Sequence, residues 1–296
     1  ALMKWDSPIL TDSGGYQVFS LRSLQKIRDD GVRYRTHFDG SYHVMTPRSV
    51  LEGQAQLGSD ICMILDHCPP GDADDQLRYE AVERSTRWAK EASDIRRDVL
   101  HEGQLCFGIC QGGTDFKLRK HHLAQLEAMD FDGLALGGLS VGEPVPAMHA
   151  TFSEIAPLMP KDKPRYVMGI GTPLDLLAAV SSGVDMFDCV MPTRHARNAQ
   201  FFTFFGKLNI RKSRFRDDPE PVDPHCGCMT CQSFSRRELR HLHVHNDPLY
   251  VRLATIHNLY FFHQWVACMR IALREGRFGE LKGMLTTILD DAKKGS

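Results

Sequence analysis

The chain has 296 residues, 42% of them hydrophobic, which allows a sizeable core in one large domain, alone or with a small appendage. A formal net charge of −1 excludes a generic polyanion binder working through bulk charge. Nine unevenly spread cysteines do not form the pattern of a secreted disulfide framework, and no signal-peptide pattern or bilayer-length apolar run occurs. The expected compartment is therefore the cytoplasm, with no membrane partner.

Six short apolar runs share one grammar: apolar or β-branched residues, then a polar or glycine-rich end, then a helical pattern. In chain order they end at Asp12, Asp66, Gln111, Gly137-Gly138, Gly169 and Asp188. Such near-continuous apolar runs suit parallel strands covered on both faces. The spacing of Ala81, Val82, Ser85, Trp88, Ala89, Ala92 and Ile95 predicts a helix over 78–100, and Pro173 to Val184 reads as another, with Gly183 near its end. Alternating strand and helix imply right-handed βαβ units. Polar ends on nearly every unit favour a barrel over a doubly wound sheet, which concentrates its site at one switch point. Six units are two short of eight, and the abrupt start at Ala1-Leu2-Met3-Lys4-Trp5 places the missing two before Ala1.

After Asp188 the pattern changes. From Arg194 to Arg216 there are seven Lys/Arg and no Asp or Glu. Phe201 to Arg211 reads as a β-hairpin turning at Gly206-Lys207. Cys226, Cys228 and Cys231 then offer three thiolates on one tight loop, in ligand-like C-x-C-x2-C spacing. Zinc prefers a tetrahedron rich in soft sulfur. Among His225, His241, His243, His245 and His257, the choice falls on His257, read as opening a long helix and so tying hairpin to helix. Four protein ligands leave no open position, so one structural zinc ion per chain is expected. A last helix is predicted from Glu280 to about Lys294. The expected fold class is α/β, a (β/α)8 TIM-type barrel with a zinc-binding insertion, its first two strands missing from this chain. The expected domains are barrel units over 1–200, hairpin and zinc-binding subdomain over 201–257, and C-terminal helices over 258–296.

Asp12, Asp66 and Asp188 all end strands, so in a barrel they converge on one mouth. Carboxylates in different environments divide labour between nucleophile and proton carrier, as glycosyl transfer through a covalent sugar ester requires. Gln111 and Gly137-Gly138 lie on the same expected rim.

The segments Leu10-Thr-Asp12-Ser13-Gly14-Gly15-Tyr16-Gln17-Val18, Phe107 to Gly112, Leu136 to Glu143 and Asp185 to Arg194, with the cysteine cluster and His257, resemble the bacterial-type tRNA-guanine transglycosylases, or queuine tRNA-ribosyltransferases. The resemblance runs from Trp5 to about Gly279 and implies a (β/α)8 barrel with a zinc-binding insertion and about two further strands ahead of Trp5. It implies a pentosyltransferase that exchanges the wobble guanine of tRNAs with GUN anticodons for the 7-deazaguanine preQ1 in queuosine biosynthesis. In that chemistry Asp188 matches the nucleophile attacking ribose C1′, and Asp12 the general acid/base. Ser13, Asp66, Gln111, Gly138 and Leu139 match substrate-binding positions, the last four at the purine edge. Tyr16 and Met168 match the residues that sandwich the base, while Arg194 and Arg197 match contacts to the tRNA anticodon loop. Cys68 and Val141 match the bacterial pattern beside the 7-substituent, implying preQ1 rather than queuine. The resemblance also implies a homodimer. Two rivals are a zinc-stabilised barrel glycosidase using Asp188 and Asp12, and a catalytically inactive tRNA-binding fragment. The basic Arg194–Arg216 segment disfavours the former, since a neutral sugar does not require it.

Overall fold

The computed structural model describes residues 4–15, 25–36 and 38–294. The chain divides into two compact units, one formed by Ala1–Ile170 with Ala178–Asp188, the other by Gly171–Leu177 with Cys189–Ser296.

The first unit is built on a parallel sheet of six strands, β1 (Leu10–Thr11), β5 (Ile61–Met63), β6 (Leu105–Cys110), β7 (Gly133–Leu136), β8 (Arg165–Val167) and β9 (Met186–Phe187), which neighbour one another in that order. This is the strand order of a (β/α)8-type barrel, so the fold class is as expected. The strands lie within the apolar runs read from sequence, several of them shorter. Every residue of β7 and all of β6 after Leu105 are buried, as strands covered on both faces must be. Glycine matters at one pairing: Gly133 lies opposite Phe107, and a Cβ there would come within 2.4 Å of the ring.

Helices α1 (Pro47–Leu57), α2 (Asp75–Val99), α3 (Phe116–Glu127) and α4 (Val145–Ile155) fill the connections up to β8, and α5 (Pro173–Ser181) precedes β9. Helix α2 starts where the Asp74 side chain accepts a hydrogen bond from the Leu77 amide. It buries the stripe Ala81, Val82, Ser85, Trp88, Ala89 and Ala92 predicted from spacing.

An unforeseen antiparallel sheet sits in the connection leaving β1: β2 (Gln25–Arg28), β3 (Gly31–Arg35) and β4 (Tyr42–Met45). Paired residues of an antiparallel sheet share a face, so Ile27, Val32 and Met45 form one inner row. That row packs with Val50 of α1, Leu65 after β5 and Trp88 of α2. Trp88 donates its indole N–H to the Asp29 carbonyl at 2.8 Å, fixing the β2–β3 turn.

The second unit contains α6 (Met191–Arg197), the hairpin β10 (Gln200–Thr203) with β11 (Gly206–Asn209), α7 (Met229–Ser233), α8 (Arg236–Val244), α9 (Pro248–Arg274) and α10 (Phe278–Lys294). Two expectations need correction. The hairpin turns at Phe204-Phe205, because Thr203 pairs with Gly206 and its hydroxyl donates to the Gly206 carbonyl at 2.8 Å. The Phe204 ring is held at the turn by Phe261 and Trp265. The long helix begins at Pro248, not His257: Asp247 caps it by accepting from the Leu249 amide, and proline suits its first turn. Among the described residues no helix is long and apolar enough to cross a membrane.

Candidate active site and metal centre

Because the six strands are parallel, their C-terminal ends share one edge of the sheet, and Asp12, Asp66, Gln111 and Asp188 follow β1, β5, β6 and β9 at that edge. Asp66 is buried, accepting from the Gln111 side-chain amide at 2.5 Å and lying 3.4 Å from the Ser13 hydroxyl. Burial, then the charge of Asp12, pushes its pKa up to about 7. Asp12 is exposed at the rim, yet the protein around its carboxyl raises its pKa, first by desolvation and further by the charge of Asp188. Ser13 and Gly14 oppose this through their backbone amides. Each acid therefore senses another, and the sequence-predicted trio forms one electrostatic cluster.

Asp188 receives two hydrogen bonds on the same oxygen. The Tyr166 hydroxyl donates to Oδ1 at 2.6 Å and the Gly169 amide donates to it at 2.7 Å. Tyr166 is buried; burial, then the charge of Asp188, keeps its phenol protonated. Sequence reading missed this residue, although it lies in β8 only three residues before Gly169, where that apolar run ends near the mouth.

The floor beside Asp66 is made of backbone. A Cβ at Gly138 would lie 2.2 Å from Gln111 Oε1, one at Gly137 2.7 Å from Gln111 Nε2, and one at Gly15 within reach of Asp66 itself. Gly138 also holds φ at +61°. Two residues unforeseen from sequence build this floor. The fully buried Arg119 donates to the carbonyls of Cys110 at 3.0 Å and Gly137 at 2.8 Å. His122, its pKa pushed down to about 4 by burial, accepts the Gln111 amide on Nδ1 at 2.9 Å. Gln111 Oε1 is left buried without a hydrogen-bond partner among the described residues. A buried acceptor in that state awaits a donor.

Leu139 is buried in the main core, and Met168 packs partly buried against it. Cys68 is buried, its thiol pushed up to about 12 by burial and then by Asp66. Val141 is half-buried; its carbonyl accepts the Gly71 amide at 3.3 Å, tying its loop to the one after Cys68. Glu143, another residue with no role in the sequence reading, holds the Val141 loop by accepting the amides of Ser140 and Val141. Tyr16 lies outside the described residues. Arg194 and Arg197 are exposed on α6 of the second unit, three residues apart and so on one helix face.

Cys226, Cys228, Cys231 and His257 come together in the second unit, with all ligand atoms within 4.8 Å of one another. The three sulfurs lie 3.7, 3.5 and 3.3 Å from His257 Nδ1. Zn–S and Zn–N bonds at a tetrahedral angle require an S···N edge of about 3.6 Å, so the donor set fits zinc. His257 Nε2 faces the Phe202 carbonyl at 2.8 Å, which sets that nitrogen as the N–H donor and leaves Nδ1 free for the metal. The sequence chose the right histidine on a wrong premise: His257 lies inside α9, not at its start. With four protein ligands the ion is structural.

The fold and site define an α/β barrel enzyme with an acid cluster at the strand ends and a separate Cys3His zinc centre. A family model described as Queuine tRNA-ribosyltransferase matches residues 1–288, and the chain belongs to that family, whose members are pentosyltransferases. It is 50% identical over 278 residues to the Queuine tRNA-ribosyltransferase of Nitratidesulfovibrio vulgaris, covering 94% of this chain and 74% of the relative. The relative from Solidesulfovibrio magneticus is 47% identical over 291 residues, covering 98% and 78%. That from Francisella tularensis subsp. novicida is 48% identical over 278 residues, covering 94% and 75%.

Two outcomes follow from this geometry. Cys228→Ser is expected to purify with less than stoichiometric zinc and to lose on the order of 4 kcal/mol of stability, read by metal analysis and thermal melting; a fully stable zinc-free wild-type protein would remove the metal centre. For Asp66 the sign is set by a folded pKa above the unfolded one. Its contribution to stability is intact below about pH 4 and is eroded as pH rises toward 7. Asp66→Asn should therefore match the wild type in acid and exceed it by ~1–3 kcal/mol above neutrality, and denaturant midpoints that differ equally at both pH values would contradict the assignment.

Proposed function

We propose that this chain exchanges the wobble guanine of GUN-anticodon tRNAs for the 7-deazaguanine preQ1, through a ribosyl ester of Asp188. The observation that carries this reading is the joining of Asp12, Asp66 and Asp188 at one sheet edge, beside a buried amide oxygen with no partner among the described residues. A single strand-end aspartate is a cap; three linked electrostatically, beside the Gln111 amide and the Gly137-Gly138 backbone, form a site.

Both donors to Asp188 engage Oδ1, so Oδ2 is the oxygen available to attack ribose C1′. As the Oδ2–C1′ bond forms, the C1′–N9 bond breaks and its electron pair goes to guanine. Asp12, whose raised pKa lets it hold a proton nearer neutrality, protonates the departing purine. It then takes the N9 proton of preQ1, whose nitrogen attacks C1′ and returns Asp188 to its carboxylate. Asp66 pairs with the purine N–H donors, while Gln111 and the Gly138–Leu139 backbone read the remaining edge. Met168, with Tyr16, supplies the faces between which an unstacked base lies. Zinc takes no part in these steps. Arg194 and Arg197 contact anticodon-loop phosphates. As in the family pattern, a homodimer is the working form.

Val141 is the residue that sets the 7-substituent. Its side chain stands where a glycine would leave space, which favours the small aminomethyl group of preQ1 over the cyclopentenediol of queuine. Val141→Gly is expected to raise kcat/KM for queuine at least about tenfold relative to preQ1; equal use of both by the wild type would overturn the preference.

Asp188→Asn should abolish both base exchange and the covalent protein–tRNA adduct, with a loss of at least ~10³-fold in kcat, while tRNA still binds. Labelled-guanine incorporation and denaturing gels read both. An adduct that persists in this variant would remove the nucleophile assignment.

A further inference from the structure

We infer that the outer face of the β2–β3–β4 sheet is a second RNA-binding surface, which holds the phosphodiester backbone of the tRNA away from the reacting base. The inference rests on the tRNA reading above and extends it to a surface with no part in base exchange.

Pairing fixes which residues share this face. Ile27, Val32 and Met45 point inward, so the flanking pairs Lys26 with Arg33, Arg33 with Val44, and Arg35 with Tyr42 point outward, as does Arg28. The outer face thus carries Lys26, Arg28, Arg33 and Arg35 with Tyr42 and Val44, and no carboxylate. Lys26, Arg28 and Arg35 are exposed, and Tyr42 is 61% exposed. Among the described residues none of the four cations forms an ion pair. The acids of this sheet sit in its turns, and Asp29 is already engaged by Arg84 and Arg87. In a chain of net charge −1, four cations on one side of one small sheet are a local concentration.

The arrangement also has the right chemistry. The Arg33 guanidinium lies 4.1 Å above the Tyr42 ring, a pairing that leaves guanidinium edges for phosphate beside an aromatic surface for a base. Arg35 is held by its Nε donating to the Gly40 carbonyl at 3.0 Å. An exposed flat sheet with cations and an accessible aromatic is how proteins track single-stranded or loop RNA. Position agrees. The sheet leaves the C-terminal end of β1, the edge that carries Asp12, and its inner row packs on Leu65, the neighbour of Asp66. Acidic protein partners are a poorer fit, because the interleaved aromatic and the mouth beside it both suit nucleic acid.

The test compares the full chain with a Lys26→Gln/Arg28→Gln/Arg35→Gln variant, leaving Arg33 because it packs on Tyr42. Affinity for an unmodified GUN-anticodon tRNA transcript is measured by fluorescence anisotropy across a KCl series. Loss of three phosphate contacts should lower the magnitude of the slope of log K against log salt by ~2–3, with an affinity loss of at least about tenfold near 0.1 M. A Lys26→Arg/Arg28→Lys/Arg35→Lys variant should restore both, which separates charge from folding. An unchanged slope and affinity in the glutamine variant would overturn the inference. So would a variant that keeps its tRNA slope but no longer sediments with phosphatidylserine vesicles, which would assign the face to lipid. The two readings fail separately: wild-type protein that neither binds tRNA nor exchanges guanine sinks the function, whereas a wild type that exchanges guanine beside a variant of unaltered salt slope sinks only this surface.

Discussion

Three carboxyl groups within electrostatic reach of one another cannot all ionise without mutual cost, and this constraint governs the first unit. It is met by graded environments. Asp66 is buried and keeps its proton to about neutrality, Asp12 lies at the rim with a smaller rise, and Asp188 is exposed with two donors on one oxygen. Similar side chains thereby acquire different chemistry from depth and hydrogen bonding alone. The arrangement depends on strand register, because parallel pairing is what delivers all three to one edge. It depends as well on Arg119, which fastens the carbonyls at the ends of β6 and β7, and on the neutral His122 behind Gln111.

The second unit answers a different physical need. Its cysteine loop is short, and the metal joins that loop to the third turn of a 27-residue helix. Aromatic contacts complete the join: Phe201 lies edge-on to His257, and Phe202 to Phe262, while Asn258 donates to the carbonyls of Pro192 and Gln200. Ligand geometry and packing therefore reinforce one another around a centre that has no chemical step to perform.

Most of what positions the site was legible from residues. The strand-end acids and the cysteine spacing are local signals, and local signals survive translation into three dimensions. The trio Asp12, Asp66 and Asp188 and the Cys3His set emerged as clusters for that reason. What could not be read were features decided by tertiary packing. The β2–β3–β4 sheet has weak alternation and a cationic outer side, so only its inner row, facing Trp88, reveals it. The start of α9 was hidden because His257 looked like an N-terminal residue, whereas Asp247-Pro248 is the stronger signal. Tyr166, Arg119 and His122 lie inside elements whose apolar patterns gave no reason to single them out, and each matters through hydrogen bonds to residues of other elements or loops.

The two hydrogen bonds on one oxygen of Asp188 have a further consequence for the proposed chemistry. Once the other oxygen is esterified, Oδ1 becomes the carbonyl of an acylal-like ester, still polarised by a phenol and a backbone amide. Those donors would favour electron withdrawal as the Oδ2–C1′ bond breaks, so in the proposed chemistry the aspartate is tuned as a leaving group as much as an attacker. In that proposed chemistry the same two donors would serve both half-reactions, departure of guanine and attack by the incoming base.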